Sequence, residues 1–393
     1  VRETVDKFED VELLKVMGIL ALFRTIDFSN TDQIEEINNY FEINRETLQL
    51  HLTTLFKIEI ADEFDNAYKI ADQILGEYVI FLIFLKDKII PFTKLLEIYF
   101  LKDGRFGLSY ILIQQINNFN FETVFSLVQF DIREAWKNRF DNRVALPFIK
   151  DFYYSIPVET LTYVSRMVHK DPVRDYHGYS FEIWNKNNIN SYGDDIIDLL
   201  LKFQGLQKVH FRLALDVLFE YCIKTEQRFQ KFLKACVQGF VMTRNSYYSG
   251  YSTQIELFKF LLHKTNDNEL FLSKSILFIA PSFLKDTFSS TTNFGKKITI
   301  GTYAVVLSEE QVKFRNELWD FIFSTYSNPL LKPNVQKCIQ EYIANFSYHE
   351  KNEEVILHDR DLLLPFFDNQ LDRNNFVDNI LIENYINKLK WLK

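Results

Sequence analysis

Residues that interrupt helices are scarce in this chain: 11 Gly and 8 Pro serve all 393 positions. Gly supplies the positive φ angles that tight turns need, and Pro ends helices, so a chain poor in both has few places to reverse direction. Long helices joined by short polar links satisfy that constraint; a sandwich of short strands does not. The 39 Phe and 20 Tyr give such helices large apolar faces to bury.

The apolar spacing follows this expectation. "PFTKLLEIYFL", "FETVFSLVQFDIREAW", "PVETLTYVSRMV", "DDIIDLLLKF", "FRLALDVLFEYCI", "QRFQKFLKACVQGF", "YSTQIELFKFLLHK" and "LFLSKSILFIAPSFL" each carry a helical stripe. In the sixth, Phe229, Phe232, Leu233 and Val237 share one side. The short links predict antiparallel neighbours. No strict sequence period is present, but irregular helical pairs stacked in series give this texture.

Two segments break the pattern. Residues 169–194, "HKDPVRDYHGYSFEIWNKNNINSYGD", hold Pro, clustered Asn and several aromatics, and read as a loop insertion. Residues 296–308, "KKITIGTYAVVLS", are β-branched and alternating, which predicts a β-hairpin inserted between helices. Aromatic-rich loops on a rigid helical frame are either recognition surfaces or packing against the frame. On the first reading, Arg174, Trp184, Tyr247 and Tyr248 are the candidate partner contacts.

Residues 1–88 have a different organisation. One helix runs through "DVELLKVMGILALF", with Leu13, Val16, Leu20 and Phe23 on a stripe. A second follows "SNTD", and a third follows Asn44, a good N-cap, with Leu48, Leu52 and Leu55 on one face. "KIEIADEFDNAYKIA" then alternates, turns at Asp65-Asn66 and alternates again. Three helices followed by a hairpin predict a winged helix. The fold expectation is therefore a mainly α protein: a winged helix over 1–88, then an irregular, solenoid-like helical-repeat arm over 89–393.

Charge and motifs narrow the function. The net charge is −8 and no basic stripe is visible, which disfavours nucleic acid. The wing tip, "DEFDN", places three carboxylates where a DNA-binding wing presents cations. Cys222, Cys236 and Cys338 have no metal or redox spacing and read as buried thiols of a cytoplasmic protein. The longest apolar run, "YVIFLIFL", is too short to span a bilayer. No phosphate loop, GxSxG, HExxH or paired CxxC occurs. His358-Asp359 reads as a solvated helix start rather than a metal dyad. "DNQLDRNNFVDN" lacks the Gly and the closing Glu of a calcium loop. Neither a metal site nor an enzyme is expected.

The run from "LKVMGILALFRTIDF" through "IEEINNYFEINRETLQLHLTTLFKIEIADEFDNAYKIADQILGEYVIFLIFL" resembles the region following the nucleotide-binding module of bacterial STAND-type P-loop NTPases, a class rich in antiphage defence sensors. "ALDVLFEYCIKTEQRF" and "FRNELWDFIFSTYSN" resemble the helical-repeat sensor arm of that class in texture. The resemblance implies a fragment of a longer parent whose NTPase domain precedes Val1, with ATP or ADP bound there and no cofactor in this chain. It implies a phage protein as ligand, the parent's own NTPase domain as a second partner, and a homo-oligomer on activation. Where relatives carry Met-His-Asp, this chain has Ile70, Ala71 and Asp72; the Asp is kept and the His is Ala71. The resemblance thus makes Lys69, Asp72 and Gln73 a hinge facing the nucleotide domain, although Asp72 also serves as a simple N-cap. The alternative is a winged-helix transcriptional regulator whose arm binds an effector.

Overall fold

The computed structural model describes residues 9–101, 107–137, 139, 143–172, 193–240, 246, 250–265, 270–294, 297–345 and 352–390. The chain is mainly helical and divides into two compact units, residues 1–163 and 164–393.

The first unit opens with α1 (Val11–Phe23), whose N-cap Asp10 accepts from the backbone N–H groups of Glu12 and Leu13. Then come β1 (Thr25–Asp27), α2 (Thr31–Phe41), α3 (Arg45–Lys57), β2 (Ala61–Phe64) and β3 (Ala67–Ile70). Asn30 and Asn44 cap α2 and α3 by accepting from Gln33 and Thr47 N–H groups. The sheet runs β1-β3-β2, antiparallel throughout, with Ile26 opposite Tyr68 and Glu63 opposite Tyr68 on the other side. This helix–strand–helix–helix–hairpin order is a winged helix. Strand β1 was not anticipated, because three residues carry no readable alternation. The Gln33 side chain holds it from outside, accepting from Asp27 N at 2.9 Å and donating to Thr25 O at 2.8 Å. Val16, Leu20, Ile26, Ile37, Leu48, Leu52, Leu55 and Tyr68 fill the core.

After the wing, α4 (Gln73–Ile80) runs directly into a π-helical turn, Phe81–Lys86, whose Phe81–Leu85 are all buried. Gly18 of α1 lets this turn come close: a methyl group there would meet Ile83 Cγ2 at 2.7 Å. Helices α5 (Phe92–Leu101), α6 (Leu108–Phe119), α7 (Phe121–Lys137), α8 (Ala145–Phe152) and α9 (Pro157–Lys170) follow. Lys88 Nζ reaches Asp131 Oδ2 of α7 at 2.9 Å, and Gln115 of α6 donates to Glu77 of α4 at 2.7 Å. These contacts carry the first unit past residue 88, the boundary read from the sequence, to residue 163. A winged helix whose last helix runs into a buried apolar turn needs further helices to cover it.

The second unit contains α10 (Asp195–Leu201), α11 (Lys208–Cys222), α12 (Glu226–Lys234), α13 (Ser252–Thr265) and α14 (Leu270–Phe283). The hairpin β4 (Thr287–Phe294) and β5 (Lys297–Ala304) comes next, before α15 (Glu309–Tyr326), α16 (Lys332–Asn345), α17 (Glu353–Gln370) and α18 (Phe376–Leu389). Successive helices pack as pairs, α11 on α12, α13 on α14 and α15 on α16, in the manner of an irregular helical repeat. The hairpin corrects the sequence reading. Residues 296–308 supply only its second strand; the first, "TFSSTTNF", is too polar to show alternation. Cys222, Cys236 and Cys338 are buried and unbridged.

His358-Asp359 also differs from expectation. It lies within α17, not at a solvated helix start, and Asp359 is fully buried against Arg315. Asp359 sits on the stripe of Val355 and Leu363, the signal that marks it as inward-facing. No helix among the described residues is long and apolar enough to cross a membrane.

Candidate functional site: the cleft at the wing seam

Lys69, Asp72 and Gln73, expected from the sequence to form a hinge, line one cleft. Lys69 is the penultimate residue of β3, Asp72 is the N-cap of α4 and Gln73 is its first residue. Asp72 Oδ1 accepts from Leu75 N at 2.8 Å, so the local role of this carboxylate is helix initiation. All three line a cleft of about 360 Å3, together with Arg24, Glu77, Tyr110 and Gln114. Arg24 follows α1 in a positive-φ conformation (65°), with its guanidinium 5.8 Å from the Tyr110 ring centroid.

A second cleft of about 710 Å3 shares Gln73, Glu77 and Gln114 with the first. Its apolar walls are Ile74, Tyr78, Phe81 and Phe119; the last two stack with ring centroids 4.0 Å apart. Ile74 is 76% exposed, a large apolar side chain presented to solvent at the start of a helix. Glu77 stands between the two clefts. Burial pushes its carboxyl above the ordinary range, partly opposed by the Arg24 charge and the Gln115 hydrogen bond. Gln115 is fully buried, and its Oε1 has no hydrogen-bond partner. A half-buried carboxylate beside an unsatisfied amide oxygen carries a cost in a purely structural role. Sequence reasoning missed both residues, since neither belongs to a motif; the one available signal was a Glu immediately before the longest apolar run of the chain.

The winged helix offers little to a duplex. Arg45 stacks on Phe28 at 5.5 Å from the ring centroid and donates to the Phe28 carbonyl at 3.1 Å. His51 lies 3.7 Å from Glu12. Lys69 lies over the wing's Phe64 ring at 4.6 Å and 4.0 Å from Asp62. Leu50 and Phe64, 64% and 55% exposed, make the outer surface apolar as well as acidic.

The partner contacts read from the sequence, Arg174, Trp184, Tyr247 and Tyr248, lie outside the described residues. Both ends of the 169–194 insertion are held, however. Lys224 donates to the backbone oxygens of Val168 and Asp171, and Arg228 pairs with the Asp171 carboxylate. On the far side, Tyr221 donates to Asp194 at 3.0 Å and Lys231 to the Gly193 carbonyl at 3.3 Å. All four anchoring side chains lie at the α11–α12 corner. Among the described residues no group of three or more His, Cys, Asp or Glu could hold a metal ion. The Asp368–Asn379 stretch instead uses Asn375 to cap α18 and buries Asp378, which accepts from Tyr326 and Gln336 at 2.7 Å each. No family model matches this chain, and no curated protein or solved structure matches it either.

Proposed function

We propose that this chain is the ligand-sensing and signal-transmitting region of a STAND-type P-loop NTPase, and that it transmits binding rather than catalysing a reaction. A foreign protein, of phage origin in the defence setting, docks on the helices that follow the winged helix. The winged helix then shifts against a nucleotide domain outside this chain, ADP exchanges for ATP there, and the parent oligomerises. The observation that carries this reading is the wing seam. Lys69, Asp72 and Gln73 share a cleft with Glu77, a half-buried carboxylate whose pKa burial raises where the wing meets α4. Sites that retain destabilising polar groups are favoured places for a docked partner. Replacing Asp72 by Ala in the full-length parent should alter nucleotide retention and signalling, whereas Asp72→Asn, which keeps the cap, should alter them less. Unchanged behaviour in the Ala variant would remove the hinge role. A parent lacking residues 90–393 that still answered its trigger would remove the sensing role.

The winged-helix order itself supports the second reading, a DNA-binding regulator. The engagement of Arg45 and His51 inside the module weighs against it. A gel shift with random duplex at low salt separates the two, because contacts to phosphate are strongest there.

A further inference from the structure

The larger of the two clefts beside α4 has the size and lining of a small-molecule site. Its volume of about 710 Å3 falls within the roughly 300–1,000 Å3 of ligand pockets, which set apolar walls around a few convergent polar groups. Ile74, Tyr78, Phe81 and Phe119 form the walls. Phe81 and Lys86 begin and end the π-helical turn that follows α4, and both line the cleft. Such turns are rare and concentrate at functional sites. Glu77 is the single acid of the lining. Its Oε2 accepts from Gln115 Nε2 at 2.7 Å; among the described residues no hydrogen bond reaches its Oε1 and no cation comes within ion-pair distance.

We propose that this cleft binds a small organic cation, an amine carried on an aromatic body, with the ammonium on Glu77 and the body against Ile74, Tyr78 and Phe119. The charge layout selects this class. An ammonium supplies the counter-charge that the fold leaves out, and the electron-rich faces of the lining aromatic rings attract a cation as well. Lys86, the one cation of the lining, is exposed. An anion drawn to Lys86 would share the cleft with Glu77, whereas an amine on Glu77 leaves Lys86 in water. Arg24, whose charge acts on Glu77 from further away, lines the smaller cleft and not this one. Gln115 is then a positioning residue: fully buried, it fixes one carboxylate oxygen and leaves the other for the ligand. A carboxylate that burial disfavours is a residue to keep for binding rather than for stability. The proposal does not depend on the NTPase reading.

Titration of the whole chain with phenethylamine, followed by ligand-observed NMR, tests it beside two probes that share the same body, anionic phenylpropionate and neutral phenethyl alcohol. The amine should bind with a Kd on the order of 1 mM, the range open to so small a ligand, and at least about tenfold tighter than either other probe. Glu77→Gln keeps the shape of the side chain and should remove that preference. Ile74→Lys changes a residue that is 76% exposed and sets a cation three positions before Glu77. It should weaken amine binding at least about tenfold with the circular dichroism spectrum unchanged. A wild type that binds none of the probes up to about 10 mM, or binds the carboxylate or the alcohol as tightly as the amine, would overturn the proposal. So would an amine preference that survives Glu77→Gln.

Discussion

Arg315 and Asp359, 44 residues apart in sequence, form a two-armed ion pair in which both side chains are fully buried. Arg315 Nε donates to Asp359 Oδ1 at 2.9 Å, and its other arm donates to Asp359 Oδ2 and to the Leu284 carbonyl. Tyr342 adds a donor to Asp359 at 2.8 Å. Helices α15, α16 and α17 and the end of α14 therefore meet at one charge pair, and removing either member strands the other. Asp359→Asn or Arg315→Leu should each cost about 3–5 kcal/mol in denaturant unfolding of the chain. Replacing both with apolar residues should cost less than the sum of the single changes.

The same pair sets a pH dependence. Burial alone would push the Asp359 carboxyl up, but the Arg315 charge and the hydrogen bonds from His358, Arg315 and Tyr342 hold it below the ordinary 3.8. A depressed carboxyl binds its proton more weakly in the folded state, so its contribution is present above pH 3.8 and lost as pH falls below that. Thermal melts from pH 7 to 3 should show this acid limb. It should be shallower in a variant where both residues are apolar.

Gly18 predicts a reversal of sign. An Ala methyl meets Ile83 Cγ2 at 2.7 Å on a β-branched, fully buried neighbour that cannot move aside. Overpacking of about 1–3 kcal/mol should exceed the roughly 1 kcal/mol that Ala gains over Gly in a helix. Gly18→Ala should therefore destabilise the wild type. In an Ile83→Ala background, where the opposing methyl is gone, the same change should be neutral or stabilising. Equal effects in both backgrounds would contradict the close approach.

Glu77 predicts a stabilising loss of charge. Its raised carboxyl means the ionised form is disfavoured in the fold, so stability falls as pH rises through its folded-state pKa. Glu77→Gln keeps an acceptor for Gln115 and removes the desolvated charge. At pH 7 the variant should melt about 1–3 °C higher, a modest effect for a group near the surface. The gain should vanish below pH 4.5, where the wild-type residue is also neutral.

Asp72 predicts a local cost. Asp72→Ala should destabilise the first unit by about 1 kcal/mol through loss of the α4 cap, and Asp72→Asn should cost only a few tenths. Denaturant unfolding measures both. An Asn variant as unstable as Ala would show that the carboxylate does more than cap.

What the sequence determined by itself was whatever depends on neighbours a few residues away. Asn30, Asn44 and Asp72 begin helices because their side chains reach N–H groups three residues on, and Asp65-Asn66 turns the wing through its own backbone. The run of helical stripes, the winged-helix order and the seam at Lys69–Gln73 were legible for that reason. Tertiary structure alone decided the features that need a distant partner. Strand β1 exists because β3 and Gln33 hold it, and β4 because β5 pairs with its polar residues. Asp359 looked solvated until Arg315 arrived from another helix, and the first unit ran on to residue 163 because Phe81–Leu85 had to be covered. Burial is a property of the assembled chain, so local spacing can nominate a half-buried charge such as Glu77 but cannot show what it costs.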